Sequence, residues 1–146
     1  MSSVKSCIEK KSGIVFSLPS TASVQQALEL MRNNRIRSVM VIDDGALAGI
    51  VTQGDCAIKV LLPGLSATHT LVSEIMTRSP LTVTMNETLQ QCMAIMTSRN
   101  FRHLPVLDKG RVLGMVSIGD IVKDIMSLQG DQIMFLETYI KGHGAA

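Results

Sequence analysis

Tryptophan is absent, and one tyrosine and three phenylalanines are the only large aromatic rings in the 146 residues. So few flat rings leave little for the bases of a single strand to stack on. A formal net charge of +2 is also too small to grip a phosphate backbone, so no nucleic-acid partner is expected. Apolar runs are short, four residues at Val39–Ile42, far from the ~20 that cross a bilayer. The N-terminal stretch MSSVKSCIEKK lacks an apolar core and a cleavage pattern, so no membrane association and a cytoplasmic location are expected. Cysteine is scarce: Cys7, Cys56 and Cys92 are odd in number, widely spaced and form no CxxC pair. Reduced, buried thiols follow from that usage, rather than disulfides or metal ligation. The histidines, His69, His103 and His143, are scattered, and no metal site is expected from them. There is no P-loop, no Gly-x-Gly-x-x-Gly after a strand and no Ser/His/Asp or Cys/His set, so the chain is not expected to be an enzyme.

What the chain does have is a repeat. A shift of 65 residues aligns Val24–Leu61 with Leu89–Met126 without a gap, and 11 of the 38 positions are identical. The identities include Arg37/Arg102, Asp43/Asp108, Gly45/Gly110, Gly49/Gly114, Gly54/Gly119 and Asp55/Asp120. Internal duplication of this kind sets the architecture before any other signal does. Each copy opens on a short apolar strand, Ile14–Leu18 or Leu81–Thr84. A helix follows, started by a capping box of Ser23 with Gln26, or Thr88 with Gln91. Its apolar stripe is Val24, Ala27, Leu28 and Met31 in one copy and Leu89, Cys92, Met93 and Met96 in the other, the spacing of one buried helical face. Two strands come next, Val39–Ile42 with Leu47–Val51 and Leu104–Leu107 with Val112–Val116. Asp44-Gly45 is a strong hairpin turn between the first two, and Lys109-Gly110 a weaker one between the second two. A second helix runs from Asp55 to Leu62, or from Asp120 to Met126.

The unit is therefore β-α-β-β-α, with the first strand reaching the second through a right-handed crossover. One such unit buries too little surface alone, so the fold class is α/β (α+β), with two units packed sheet to sheet. The organisation expected is a first unit over residues 1–63, a linker over 64–71, a second unit over 72–128 and a tail over 129–146. In the tail, Ile133, Leu136 and Ile140 fall at helical spacing. The ten methionines suit irregular packing.

Two segments carry polar groups at matched places: Gly49-Ile50-Val51-Thr52-Gln53-Gly54-Asp55 and Gly114-Met115-Val116-Ser117-Ile118-Gly119-Asp120. Each sets a hydroxyl at a strand end and a carboxylate three residues later, in the first turn of a helix. Two readings are open. Ser/Thr-x-x-Asp is an ordinary capping arrangement. It also suits a nucleotide, since a helix start attracts phosphate and a carboxylate accepts from a ribose diol.

The pattern Gly-x-x-Thr/Ser-x-x-Asp closing each β-α-β-β-α unit resembles the nucleotide-binding signature of CBS (cystathionine β-synthase-type) repeats, two of which form a Bateman module. The resemblance covers Lys11 to Met126 and implies pseudo-twofold symmetry, with two clefts between the paired sheets. It implies that Asp55 and Asp120 bind ribose, with Thr52 and Ser117 as their partners. It places adenine against Lys11, Ser12, Val15, Phe16, Ile36 and Ser38 in one copy, and against Thr77, Pro80, Leu81 and Phe101 in the other. Arg37, and Arg102 with His103, take the places that meet phosphate, where a guanidinium pairs two oxygens at once.

The function implied is a non-catalytic regulatory module. It binds an adenosine-containing ligand (AMP, ADP, ATP or NAD) and signals to a separate partner in trans. S-adenosylmethionine would leave the arginines unused. A homodimer is expected, with Ile121, Val122, Ile125 and Met126 available either to its interface or to the core. The alternative is a dimeric interaction scaffold whose clefts stay empty. A nucleotide hydrolase or transferase lacks a positioned base, nucleophile or metal cluster.

Overall fold

The computed structural model describes residues 3–11 and 13–128. Ser12 and the expected tail helix with Ile133, Leu136 and Ile140 lie outside the described residues. The first unit holds β1 (Ser17–Leu18), α2 (Val24–Asn34), β2 (Ser38–Asp43), β3 (Ala46–Thr52) and α3 (Gln53–Cys56), which continues as a π-helical turn over Ala57–Leu61. The second holds α5 (Leu89–Arg99), β5 (His103–Asp108), β6 (Arg111–Ser117) and α6 (Ile118–Leu128). Ahead of each stands a short leading segment: α1 (Val4–Glu9), and α4 (Val72–Ile75) with β4 (Thr77–Arg78).

The duplication extends to backbone detail. Both capping boxes form: the Ser23 and Thr88 hydroxyls accept from the backbone N–H of Gln26 and Gln91, whose side chains accept in return. Arg35 and Asn100 close α2 and α5 in the left-handed conformation, at φ 54° and 58°. Both hairpins turn through two positive-φ residues, Asp44-Gly45 and Lys109-Gly110. Lys109 thus serves the turn as Asp44 does, because glycine at the second position takes the more demanding conformation. β1 pairs parallel with β2, as the crossover requires, and β2 pairs antiparallel with β3. The opening strands are shorter than the sequence suggests. Only Ser17–Leu18 of Ile14–Leu18 is in a ladder, and only Val83 of Leu81–Thr84 bridges, parallel to Val106. The second helix also departs from expectation in the first unit, since past Cys56 it widens into the π-turn.

The leading segments are exchanged between units. Val4 and Cys7 of α1 are buried in the core of the second unit, with Leu89, Cys92, Met96, Leu104 and Ile121. Val72, Ile75 and Met76 are buried in the core of the first, with Val24, Ala27, Met31, Val39 and Val51. Matched hydrogen bonds fix the exchange: Val4 N–H donates to Glu87 C=O at 3.0 Å, and Val72 N–H to Ala22 C=O at 2.8 Å. β4 adds to the edge of β3, pairing Gly49 with Arg78, so the first sheet runs β1-β2-β3-β4. The segment over 64–71 is tied to this core: Thr70 is buried, and Val24 and Gln25 donate to the carbonyls of Thr70 and Ala67. Ile121 and Ile125 pack in the second core and do not form an outer face. Among the described residues the most exposed large apolar side chains are instead Leu61 and Leu62, followed by Ile14, Ile58 and Leu65.

All three thiols are buried, and burial raises their pKa; Cys92, which also faces Glu87 and Cys7, is pushed up to about 11. At pH 8 roughly one Cys92 in a thousand is then thiolate, the reactive form. Native protein is expected to resist iodoacetamide at all three cysteines, and to label at all three in concentrated guanidinium. A thiol that labels natively at the denatured rate would show that its core opens.

Candidate functional site

Period-2 alternation along β2 and β3 sends Val39, Val41 and Val51 toward the helices of their own unit. The alternate positions, Ser38, Met40 and Ile50, face the other unit and line two clefts. The first cleft, of about 430 Å³, is walled by Thr52–Asp55 of the first unit and by Thr77, Pro80, Leu81, Phe101, Arg102 and His103 from beyond the linker. The second, of about 460 Å³, joins Ser117 and Asp120 of the second unit to Lys11, Phe16, Ile36 and Ser38 of the first. Each carboxylate therefore faces apolar groups from the opposite half of the sequence, and β4 is what carries Thr77 across. Arg37 and His103 line both clefts, whereas Arg102 lines the first alone. Val15 lines neither, and Ser12 lies outside the described residues.

Both Thr/Ser-x-x-Asp starts are capping boxes. Thr52 N–H donates to Asp55 Oδ2 at 3.0 Å and Asp55 N–H to Thr52 Oγ1 at 3.1 Å. Ser117 N–H donates to Asp120 Oδ2 at 2.8 Å and Asp120 N–H to Ser117 Oγ at 3.1 Å. Capping fixes where the carboxylates sit without using all their acceptor sites, since an ionised carboxylate offers about four. The two readings of the motif are thus compatible, and the cap presents the carboxylate at the cleft wall. A Cβ on Gly54 or Gly119 would stand in ordinary van der Waals contact with the Thr52 or Ser117 hydroxyl, at 3.6 and 3.7 Å.

The charges differ between clefts. Asp55 pairs with Lys59, one helical turn on, at 3.2 Å, and Lys59 also donates to Ile75 C=O. Asp120 pairs with Lys11 at 2.6 Å. Burial alone would raise the Asp120 pKa, but the Lys11 ammonium and the Ser117 N–H and hydroxyl outweigh it and hold the carboxyl below its ordinary value. Burial lowers the His103 pKa, with Lys11, Arg102 and Arg37 adding to it against Asp120. His103 is neutral near pH 7 and able to donate from one ring nitrogen.

Sequence reasoning missed Ile50, Gln53 and Asn100 in the first cleft and Ile14, Arg35 and Met115 in the second. The 65-residue shift pairs Ile50 with Met115 and Arg35 with Asn100, so the signal for those four was present in the repeat itself. Among the described residues no cluster of His, Cys, Asp and Glu has the makings of a metal site, and no helix is long and apolar enough to cross a membrane.

Comparison with known proteins bears on this geometry. The family described as CBS domain matches twice, over residues 12–61 and 72–127. The mitochondrial CBS domain-containing protein CBSX3 of Arabidopsis thaliana is 34% identical over 125 residues, spanning 82% of this chain and 61% of its own length. The chain thus spans about three fifths of that relative, and 20% of the next, the Arabidopsis protein CBSCBSPB2. A solved structure of a protein with CBS domains from Burkholderia ambifaria MC40-6 superposes with a TM-score of 0.84 at 37% identity, covering 88% of this chain and 96% of that one. The CBS domain pair of protein MJ0100, solved in complex with 5-methylthioadenosine and S-adenosyl-L-methionine, superposes with a TM-score of 0.77 at 27% identity, covering 87% and 98%. With its duplicated β-α-β-β-α units, exchanged leading segments and paired clefts, the chain belongs to the CBS-domain family, as a tandem pair.

Proposed function

We propose that the protein is a regulatory, non-catalytic module that binds an adenosine-containing ligand in the clefts between its two repeats. The observation that carries this is the composition of the clefts. Each sets a capping-box Asp and a hydroxyl opposite apolar groups from the other repeat, with arginine in the lining. A ribose diol suits the carboxylate, a flat base suits Pro80, Leu81 and Phe101 or Phe16 and Ile36, and phosphate suits Arg37, Arg102 and His103. Val15 has no part in this reading. The arginines favour AMP, ADP, ATP or NAD over S-adenosylmethionine, although the MJ0100 pair holds the latter.

Because each cleft draws its walls from both repeats, a bound ligand changes the angle between them only by its differential affinity for the two arrangements. A separate protein in the cytoplasm reads the change. A second copy of the chain docks on the exposed Ile58, Leu61 and Leu62, a face that would equally serve a scaffold with empty clefts.

Thermal shift and calorimetry with AMP, ADP, ATP, NAD and S-adenosylmethionine separate the two readings. A ligand at 100 times its Kd adds about 2.7 kcal/mol of stability. Asp55→Ala and Asp120→Ala are each expected to cost about 1 kcal/mol through the lost carboxylate arm of the capping box, and further to shrink the ligand-induced shift. If none of the five stabilises the parent, the scaffold reading stands and the sensing one fails.

A further inference from the structure

The two clefts are not equivalent, and the difference lies in one connection. Ile8 and Met76 fill the same place, against Gly114 and Gly49, and stand 68 residues apart. Leu18 and Val83 also match, through their parallel partners Val41 and Val106, yet stand 65 apart. The connection from α1 to β1 is therefore three residues longer than the one from α4 to Val83. That longer connection carries Lys11 into the second cleft. Its ammonium pairs with Asp120 Oδ2 at 2.6 Å and donates to Met115 C=O. The same Asp120 oxygen accepts from Ser117 N–H. Among the described residues no lysine lines the first cleft: Lys59 pairs with the other Asp55 oxygen, Oδ1, from its own helix and also donates to Ile75 C=O.

We propose that Lys11 is a specificity-determining residue that reserves the second cleft for phosphate-bearing ligands. The inference rests on the nucleotide reading above. A ribose diol reaching Asp120 competes with the ammonium already paired there. A neutral nucleoside offers the displaced Lys11 no anion in exchange, and a sulfonium ligand adds a second cation beside it. A nucleotide brings phosphate, and the flexible lysine stem lets the ammonium pass from carboxylate to phosphate while Arg37 holds the other oxygens. The first cleft has no such filter, so it accepts nucleosides and nucleotides with less distinction.

The test uses the full chain with 13C-methyl methionine, reading Met115, which lines only the second cleft, during titration with ADP and with adenosine. In the parent, Met115 is expected to respond to ADP at a concentration at least about tenfold lower than to adenosine, the scale of one charge-assisted hydrogen bond. In Lys11→Met the gap is expected to close by about tenfold, with adenosine tighter and ADP weaker. Lys11 has a partly exposed side chain, so the fold tolerates the change. Lys11→Glu is expected to exclude ADP from Met115 altogether. An unchanged ADP-to-adenosine ratio in Lys11→Met overturns the proposal and leaves the nucleotide reading intact. So does a Met115 signal that never moves while calorimetry records binding elsewhere. No binding by either ligand to any variant overturns both.

Discussion

Gly49→Ala is expected to lower the midpoint of thermal unfolding by about 10 °C, and Gly114→Ala by no more than about 3 °C, although the two glycines are equivalent in the repeat. A Cβ on Gly49 would stand 2.6 Å from Met76 Sδ and 2.7 Å from the carbonyl oxygen of Thr77. The sulfur belongs to a flexible side chain, but Met76 is buried in the first core and has little room to retreat. The carbonyl belongs to β4, whose ladder with β3 pairs Gly49 with Arg78 and Ile50 with Thr77. Relief therefore means pulling β4 off β3, at about 3 kcal/mol, the upper part of the usual range for overpacking. At Gly114 the nearest atom is Ile8 Cδ1 at 3.0 Å, a terminal methyl that a rotamer change moves aside. Circular dichroism melts of the two variants check the contrast. Equal losses would mean that β4 slides away freely and does not hold the first cleft. Because β4 positions Thr77, Gly49→Ala is also expected to loosen ligand binding at the Asp55 cleft before the Asp120 cleft.

The same comparison shows how far the sequence alone reaches. Helix caps and turns are local, and Ser23, Thr88, Asp44-Gly45 and the stripe from Val24 to Met31 are where short-range patterns place them. Lys109-Gly110 reads as a weaker turn, yet adopts the same conformation, because two strands already in register demand it. The exchange of α1 and α4 escaped the repeat, since the leading segments match at 68 residues and the rest at 65. Strand β4 escaped as well: Thr77-Arg78 has no alternation of its own and is a strand only because β3 offers an edge. The pattern named Asp55 and Asp120 but did not say which apolar wall each would face. That pairing depends on the crossing of segments distant in sequence. Lys11 was legible as a residue near adenine by resemblance, but its contact with Asp120 spans 109 positions and no periodicity encodes it.

Arg37→Ala is expected to weaken nucleotide binding at both clefts by about tenfold to a hundredfold, whereas Arg102→Ala weakens the first cleft alone. The repeat makes these arginines equivalent, each just ahead of a central strand, with its carbonyl accepting from the start of the following helix, Gln53 N–H for Arg37 and Ile118 N–H for Arg102. Their side-chain positions are not equivalent. Arg37 lines both clefts beside His103, while the matching place in the second repeat is open to the first cleft only. Removing a charged donor from phosphate costs more than removing a neutral one, and the loss falls on every phosphate the donor serves. Adenosine, with no phosphate, is expected to change by less than about twofold in either variant, which separates a phosphate contact from a general loss of fold. Arg37→Lys is expected to recover the charge but not the two-pronged geometry, restoring part of the affinity and most of its salt dependence. Calorimetry of ADP and adenosine against the three variants at low and high salt measures each term. If Arg37→Ala and Arg102→Ala weaken ADP equally and at one cleft each, Arg37 is not shared. The two ligand sites would then be independent, with no common arginine linking their occupancy.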